Sequence, residues 1–233
     1  MIKLNSKSRK LILLQRNELL SNTQILLRKR FGRFLFTNFF VYFFQINNLD
    51  NSVQNLFEKE YETIKNFLPS NVSNILDIGC GLGIINIFLN KKYNQSTKFF
   101  LLDKNKIDLK IKYGFSENYE SYNNLNETKN ILLANGLVDN QVILKNVGRN
   151  IDIDQKIDFI LSLKSMAFHY PIENYLELLS KICTKNTKFI FDISTERYKI
   201  SDLQKYFEKI EIIYEEDSQH PLKRLYCKSF KNI

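Results

Sequence analysis

The chain has 233 residues, a hydrophobic fraction of 44% and a formal net charge of +9. This length suits one α/β domain with an appended segment, and the apolar fraction is ordinary for a globular protein with a core. Two histidines exclude a histidine-rich metal site. Three cysteines without paired spacing predict reduced thiols in a cytoplasmic protein, not a disulfide or zinc framework.

The positive charge is concentrated at the N-terminus. Residues 1–33 hold nine basic residues and one acidic residue, Glu18, so they carry eight of the nine net charges. Polar residues interrupt the first apolar run and no small-residue cleavage site follows, so we expect no secretory signal. The longest apolar stretch, residues 34–44, is shorter than the ~20 residues of a membrane-spanning helix.

The N-terminal arm is predicted to be helical. Residues 8–31 carry pairs of Leu or Ile every seven positions, which indicates one amphipathic helix. We expect it to cap the core with its basic face in solvent; the alternative partners of residues 1–33 are an anionic membrane surface, nucleic acid or an acidic substrate. Residues 31–45 hold eight aromatic side chains, expected to pack the arm on the domain, with a substrate pocket or a dimer interface as alternatives. The predicted division is a helical cap, residues 1–49, and a domain, residues 50–233.

The domain begins with a predicted helix and the most informative stretch of the chain. The helix covers residues 50–68, with Asp50 or Ser52 as its cap and Pro69 just past its end. Residues 74–89, NILDIGCGLGIINIFL, read as a buried strand, a glycine turn and a helix. The glycines permit a sharp turn, and the helix start presents free N–H groups, so a ligand site is predicted here.

Two ligand classes use such a turn. Dinucleotide enzymes have the pattern G-x-G-x-x-G. Here the third glycine, Gly83, comes one residue early, and Ile84 stands where that pattern needs Gly or Ala. Asp77 lies two positions before the first glycine, and its carboxylate would attract a cation and repel a pyrophosphate.

The pattern D-x-G-x-G-x-G resembles motif I of the class I S-adenosylmethionine-dependent methyltransferases. The resemblance implies S-adenosyl-L-methionine as the cofactor, with the acidic residue facing its methionine end. The implied contacts at this turn are Asp77, Gly79, Cys80, Gly81 and Gly83. The alternative is a structural turn without a ligand.

The next two strands supply further cofactor candidates. Residues 97–103 form a buried strand ending in Asp103, about 20 residues past the glycine turn, the distance expected of a ribose partner. This resembles motif II of the same family, and Lys104 follows it; an Asp that caps the next turn is the alternative. Asn146, after a third strand at residues 142–144, is by family analogy a partner of the adenine amino group.

A segment rich in Tyr and Asn, residues 112–126, separates these strands. Its aromatic residues are candidates for covering the cofactor or contacting the substrate, and a surface loop is the alternative. They are Tyr113, Phe115, Tyr119 and Tyr122. A helix is predicted over residues 125–134, ended by Asn135 and Gly136.

The second informative stretch is KIDFILSLKSMAFHYP, residues 156–171. Residues 158–163 are the fourth strand, which in this fold lies beside the first, so the residues after it emerge near the ligand. They resemble motif IV of small-molecule methyltransferases, without the Asn-Pro-Pro-aromatic or Pro-Cys motifs of nucleobase and amide enzymes. The candidates are Ser162 for the cofactor, Lys164 and His169 for catalysis, and Phe168 and Tyr170 for the substrate.

His169 and Lys164 each have two interpretations. An imidazole can take a proton near neutral pH, as transfer to a hydroxyl requires, so His169 is either a general base or a hydrogen-bonded structural residue. Lys164 is a second candidate base or a binder of an anionic substrate group, or else a solvated lysine at a strand end.

The remaining pattern completes the predicted fold. A helix over residues 172–182, a strand over 187–193 and a helix near 201–207 precede two strands, 209–214 and 224–230. We expect an α/β, Rossmann-like, seven-stranded and mostly parallel sheet whose last strand is antiparallel, with helices on both faces.

The resemblance is closest to bacterial small-molecule or sugar O-methyltransferases, through GFSENYESYNNL and SLKSMAFHYP. It implies methyl transfer to a small-molecule or sugar acceptor. The alternatives are an RNA methyltransferase that uses the basic arm, a NAD-binding oxidoreductase, which Asp77 and Ile84 disfavour, and a cofactor-binding regulatory subunit without catalysis. The oligomeric state stays open.

Overall fold

The computed structural model describes residues 1–43, 46–93, 96–107, 122–147, 151–218 and 220–231. The helices are α1 (Ser6–Gln15), α2 (Asn22–Phe31), α3 (Arg33–Phe43), α4 (Ile46–Ile64), α5 (Ile84–Tyr93), α6 (Leu125–Ala134), α7 (Leu176–Ile182) and α8 (Ile200–Leu203). The strands are β1 (Asn74–Ile78), β2 (Lys98–Asp103), β3 (Val142–Asn146), β4 (Phe159–Ser162), β5 (Lys188–Ser194), β6 (Phe207–Glu216) and β7 (Leu222–Phe230).

These strands form one sheet in the order β3-β2-β1-β4-β5-β7-β6. Strands β1 to β5 pair in parallel, and β7 lies antiparallel between β5 and β6. The chain runs from β1 out to β3 and then returns to β4 on the other side of β1. The order therefore reverses between β1 and β4, and ligands of such sheets bind outside the carboxyl ends at this point. The predicted mostly parallel, seven-stranded sheet is confirmed.

The sheet is buried on both faces, which explains the continuous apolar sequence of β1. Ile75 faces a core layer that it shares with Phe57 of α4 and Ile85 of α5. Leu76 faces the opposite layer, where it joins Leu179 of α7. Because successive side chains of a strand point to opposite faces, β1 anchors both layers and holds its carboxyl end in a fixed place.

The predicted single helix over residues 8–31 is wrong, because the chain breaks between α1 and α2. Arg16 has an extended backbone, and a short 3₁₀ turn follows. Ser21 then starts α2 by accepting a hydrogen bond from the Gln24 N–H, while the Gln24 side chain accepts one from the Ser21 N–H. This reciprocal cap is a strong helix start, so the apolar repeat is divided between two helices.

Helix α4 begins at Ile46, before the predicted start and across the predicted boundary between residues 49 and 50. Asp50 therefore does not cap it. Its carboxylate accepts two hydrogen bonds from the Arg9 guanidinium, at 2.9 and 2.6 Å, and so ties α4 to α1. Among the described helices, none combines the length and apolar character that crossing a bilayer requires.

The later elements match the prediction with small shifts. Helix α6 has the predicted bounds, while the predicted helix over residues 172–182 starts with a 3₁₀ turn, Ile172–Tyr175. Helix α8 is only four residues long because β6 already begins at Phe207.

Candidate active site

The glycine turn after β1 has the backbone shape that its sequence predicts. Gly79, Gly81 and Gly83 have φ angles of 73°, 53° and 68°, which side chains disfavour. The Gly79 N–H donates to the Leu102 carbonyl at 2.7 Å, and the Gly83 N–H donates to the Cys80 carbonyl at 2.8 Å. The turn is thus held against the end of β2.

Protein side chains fill the space that a Cβ would take at two of these glycines. A Cβ on Gly79 would lie 2.0 Å from the Ser165 hydroxyl oxygen, and one on Gly81 would lie 2.9 Å from the Gln15 amide oxygen. The missing Cβ atoms at Gly79 and Gly81 therefore do not leave open space. At these two positions they make room for the segment after β4 and for the end of α1.

Asp77 is a buried carboxylate at the end of β1. Its side chain accepts a hydrogen bond of 2.6 Å from the Asn86 amide, which projects from the first turn of α5. Burial raises the pKa of Asp77 to about 7. Asn86 Oδ1 is itself buried without a hydrogen-bond partner in the described part of the chain. A bound cation would stabilise the ionised form of Asp77, which burial disfavours.

Asp103 closes the other side of the turn. One carboxylate oxygen accepts hydrogen bonds from the Gly81 N–H at 2.7 Å and the Asn123 amide at 3.1 Å, and the other accepts from the Lys104 N–H at 2.6 Å. Burial nevertheless raises the pKa of Asp103 to about 6. The sequence analysis missed Asn123, which also donates to the Gly81 carbonyl at 2.8 Å.

A cleft of about 200 Å³ opens beside Asp103, and Asp77 does not line it. Its lining residues are Gly79, Asp103, Lys104, Val147, Ile151, Ser165, Tyr170, Asn174, Tyr175 and Leu178. Four of them, Gly79, Asp103, Lys104 and Tyr170, are predicted site residues. The cleft is smaller than the ~300–1,000 Å³ of pockets for drug-sized ligands, so it suits one part of a larger ligand. The cleft has apolar walls that suit a base and the Asp103 carboxylate, which suits hydroxyl groups. This combination fits a nucleoside.

The segment after β4 is held in an unusual backbone shape. Lys164 and Ala167 have φ angles of 58° and 61° without being glycine. The Lys164 N–H donates to Asp192 at 3.1 Å, and Asp192 forms a bidentate, buried ion pair with Arg224, at 2.7 and 2.9 Å. Backbone strain of this kind collects at functional sites where surrounding contacts enforce it.

The Ser165 carbonyl oxygen is the acceptor for three backbone N–H groups of this segment. It accepts hydrogen bonds from the N–H groups of Phe168, His169 and Tyr170, at 3.1, 2.8 and 3.0 Å. The Ser165 side chain lies on Gly79 and lines the cleft. The segment therefore packs on the glycine turn, and Tyr170 reaches the cleft while Phe168 is buried.

The two predicted catalytic side chains leave this segment in different surroundings. The Lys164 Nζ lies 2.7 Å from a carboxylate oxygen of Glu18, in the turn after α1. His169 is exposed, with its ring 4.9 Å from that of Phe168. Nearby protein atoms that displace part of the water around the imidazole, and the charge of Arg197, lower the pKa of His169, although solvent screens part of this effect. His169 is therefore neutral at pH 7, but it is a weaker base than an ordinary imidazole.

The fold is similar to that of solved structures. A protein from Nostoc punctiforme described as a candidate O-methyltransferase matches with a TM-score of 0.50 and 12% identity over 76% of this chain, and the match covers 56% of that chain. The chain has the class I methyltransferase fold. No family model matches the sequence, and no curated protein matches it significantly.

Two other structures are similar at lower scores. Ribosomal protein L11 methylase from Lactobacillus delbrueckii subsp. bulgaricus has a TM-score of 0.49 and 14% identity, over 72% of this chain and 76% of that one. Precorrin-6y C5,15-methyltransferase from Geobacter metallireducens has the same score and identity, over 73% and 87%.

Two predicted cofactor contacts, Ser162 and Asn146, form hydrogen bonds with backbone groups of the protein. The buried Ser162 hydroxyl donates to the Ile78 carbonyl at 2.8 Å and accepts from the Met166 N–H at 2.9 Å, which joins β4 to β1. Asn146 accepts a hydrogen bond from the Asn105 N–H at 3.0 Å and does not line the cleft. In the structure, the side chains of both residues are therefore hydrogen-bonded to the protein backbone.

Cys80 occupies the middle of the glycine turn. Its thiol is half-buried and lies 3.5 Å from the Gly81 carbonyl oxygen. Burial raises the pKa of this thiol well above its ordinary value, so it stays protonated.

The cap contacts Tyr122, the residue that precedes Asn123. The Gln15 amide donates to the Tyr122 carbonyl at 2.8 Å. The Tyr122 ring contacts Phe34 edge-on, with centroids 5.9 Å apart, and carries the Arg33 guanidinium 4.9 Å above it. Three further predicted substrate contacts lie outside the described residues: Tyr113, Phe115 and Tyr119.

Proposed function

We propose that the chain is an S-adenosylmethionine-dependent methyltransferase whose acceptor is the hydroxyl group of a small molecule or sugar. One observation carries the proposal: the buried Asp77 and the partly buried Asp103, at the ends of neighbouring parallel strands, flank one glycine turn where the strand order reverses. A molecule with an ammonium group at one end and a ribose at the other matches these two carboxylates. The cofactor supplies an electrophilic methyl group on its sulfonium sulfur.

The chain's own residues divide the binding task. Asp77 would pair with the ammonium group, since only a cation offsets the cost of ionising a carboxylate at that buried place. Asp103 would accept a hydrogen bond from a ribose hydroxyl, because it lines the cleft and keeps about one of its four lone-pair sites beyond the three donors that it already binds. Tyr175 and Leu178 would contact the base.

We assign the general base to His169. A neutral imidazole can take the hydroxyl proton as the acceptor oxygen attacks, a contribution of roughly 10²–10⁴-fold in rate. Lys164 is the weaker candidate because its ammonium group is paired with Glu18. In this proposal Lys164 holds the turn after α1 in place above the strand ends.

The sheet argues against the oxidoreductase alternative. Dinucleotide-binding sheets have the order 3-2-1-4-5-6. Here β7 is inserted antiparallel between β5 and β6. A pyrophosphate on this turn would also face Asp77.

The contacts of the N-terminal arm favour a small acceptor over RNA, because three of its cations bind groups within the protein. Arg9 binds Asp50, Arg16 binds Glu60 at 2.9 and 3.1 Å, and Arg28 donates to the Leu13 carbonyl at 3.1 Å. Cations held inside the protein cannot neutralise phosphates, which dominate RNA affinity. We also propose a reducing, cytoplasmic location, because all three cysteines are unpaired.

Calorimetric titration with S-adenosylhomocysteine and with NADH tests the cofactor class. We expect binding of the first alone, and a loss of at least about tenfold in the Asp103→Asn variant, because an amide places a donor where the ribose needs an acceptor. NADH binding, or equal affinity of wild type and variant, would contradict the proposal.

A screen of hydroxyl acceptors with labelled cofactor then tests the base. His169→Gln should lower kcat by about 10²-fold or more while leaving S-adenosylhomocysteine affinity unchanged. Full activity in the variant would remove His169 from the reaction. Activity on RNA that salt abolishes would favour the nucleic-acid alternative.

A further inference from the structure

The outer side of α2 and α3 exposes much apolar surface. Nine large hydrophobic side chains are exposed in the described part of the chain, and five of them lie between positions 26 and 39. These five, named here the outer apolar face, are Leu26, Leu27, Phe31, Leu35 and Phe39, with exposed fractions of 45–64%. Single exposed apolar residues need no explanation, but a cluster of this kind marks an interaction site.

The inner sides of both helices cover one small core cluster. Ile25 of α2 and Phe36 and Phe40 of α3 pack around Leu13 and Leu20. Since both helices face the same cluster, their opposite sides look away from the domain together.

Helical spacing places the outer apolar face on those opposite sides. Leu27 and Phe31 are four residues apart on α2, and Leu35 and Phe39 are four apart on α3. Side chains at this spacing form one stripe of a helix surface. The two stripes follow each other along the chain through Gly32.

The segment that carries the outer apolar face contains charges of one sign only. Residues 19–49 contain no Asp or Glu. Lys29 and Arg30 are exposed on α2 between the leucines and Phe31, whereas Arg28 is buried. An apolar surface whose own segment carries exposed cations and no carboxylate complements a surface with an apolar interior and an anionic boundary.

We propose that the outer apolar face docks on an anionic membrane surface, with α2 and α3 lying along the lipid headgroups. Leu and Phe side chains enter the boundary of the acyl chains, and Lys29 and Arg30 stay at the level of the anionic headgroups, as in interfacial helices. The proposal is independent of the methyl-transfer chemistry.

Two other occupants fit less well. A symmetric dimer through this face would bring Lys29 and Arg30 of one copy close to those of the other, without a carboxylate to neutralise them. Single-stranded nucleic acid binds through cations and aromatic stacking. Three of the five side chains here are leucines, which offer neither.

Flotation of the full chain with lipid vesicles tests the proposal. We expect binding to phosphatidylcholine vesicles that contain about 30% phosphatidylserine, weaker binding as salt screens the charges, and little binding to phosphatidylcholine alone. A Leu35→Ser/Phe39→Ser variant should lose at least about tenfold in partitioning, and Lys29→Gln/Arg30→Gln should lose affinity for the anionic vesicles only.

The matched control is Ile212→Ser, which removes an exposed apolar side chain from β6, outside the arm. It should bind vesicles like wild type, and circular dichroism should show that every variant is folded. Absence of vesicle binding, or equal binding by Leu35→Ser/Phe39→Ser, would overturn the proposal. So would a wild-type dimer in sedimentation that this variant abolishes, or RNA binding that it abolishes while vesicle binding persists.

Discussion

Two turns meet at the candidate active site, and they reach similar backbone shapes by different means. The turn after β1 uses three glycines with positive φ, whereas the turn after β4 places Lys164 and Ala167 in the same region. Glycine adopts this conformation freely, but a side chain there costs about 1–2 kcal/mol. The first turn is specified by residue type, and the second is imposed by hydrogen bonds from its surroundings.

The difference shows where each turn is vulnerable. The glycine turn should fail when a side chain is added to it. The turn after β4 should tolerate changes of its own side chains, since its backbone is fixed by Asp192 and by the Ser165 carbonyl. The predictions below test this contrast.

The largest effect is expected from Asp192→Ala. It leaves the Arg224 guanidinium buried without its carboxylate and removes the acceptor of the Lys164 N–H, so we expect a loss of about 3–5 kcal/mol in the free energy of unfolding, measured in urea. The control is Glu215→Ala, whose exposed pair with Lys223 is worth less than about 1 kcal/mol. Equal losses in the two variants would mean that the buried pair does not hold the turn.

Gly79→Ala should come next. The added Cβ would overlap the Ser165 hydroxyl and occupy a positive φ, which together cost about 2–4 kcal/mol, and the shift of Ser165 should weaken S-adenosylhomocysteine binding by more than tenfold. Gly136→Ala also adds a side chain at a positive φ, at 100° where Gly79 has 73°, but has open space around it. This variant should lose only the part of the stability that the positive φ costs, and it should bind S-adenosylhomocysteine as tightly as wild type.

The pH dependence of cofactor binding should be smaller. In the folded chain Asp77 keeps its proton up to about pH 7, whereas an ordinary Asp in the unfolded chain loses it near 3.8, so the stability that this group contributes falls as the pH rises between these two values. An ammonium ligand needs the ionised form. Affinity for S-adenosylhomocysteine should therefore fall by up to about tenfold per unit below pH 7.

Asp77→Asn provides the control for this effect. Its affinity should be low and nearly independent of pH between 6 and 8, with a residual dependence near the pKa of Asp103, about 6. The variant should also be more stable than wild type at pH 8, because it buries no ionised carboxylate there. If calorimetry showed the same pH dependence of affinity in this variant as in wild type, Asp77 would not be the partner of the ligand's ammonium group.

The smallest effect is expected from Lys164→Gly. Glycine relieves the positive φ and keeps the N–H that Asp192 binds, while the half-exposed pair with Glu18 is worth little, so stability should change by less than about 1 kcal/mol. A loss of several kcal/mol in urea would show that the lysine side chain, and not its backbone, holds this turn.

The sequence predicts the part of the site that residue type determines. Strand β1 and its turn were predictable because continuous apolar residues and glycines each limit the backbone to few shapes. Asp103 was predictable from its distance to that turn. The fold followed from the order of such elements.

Contacts between distant segments were not predictable. Nothing in the apolar repeat of residues 8–31 indicates its break, although the Ser21 and Gln24 pair was an available signal. Likewise, Asn86 and Tyr175 look like ordinary helix residues until the fold brings them to Asp77 and the cleft. Ala167 carries no local sign of its positive φ, because its neighbours in space impose it.

The thiol within the glycine turn gives the chain a native reporter. Cys183 and Cys227 are buried, so a small alkylating reagent added to folded protein should modify Cys80 first, and slowly, because the thiol is protonated. Any molecule that settles over this bend would shield the sulfur. The labelling half-time, followed by mass spectrometry, would thus read out occupancy without a chosen acceptor or an assay of turnover.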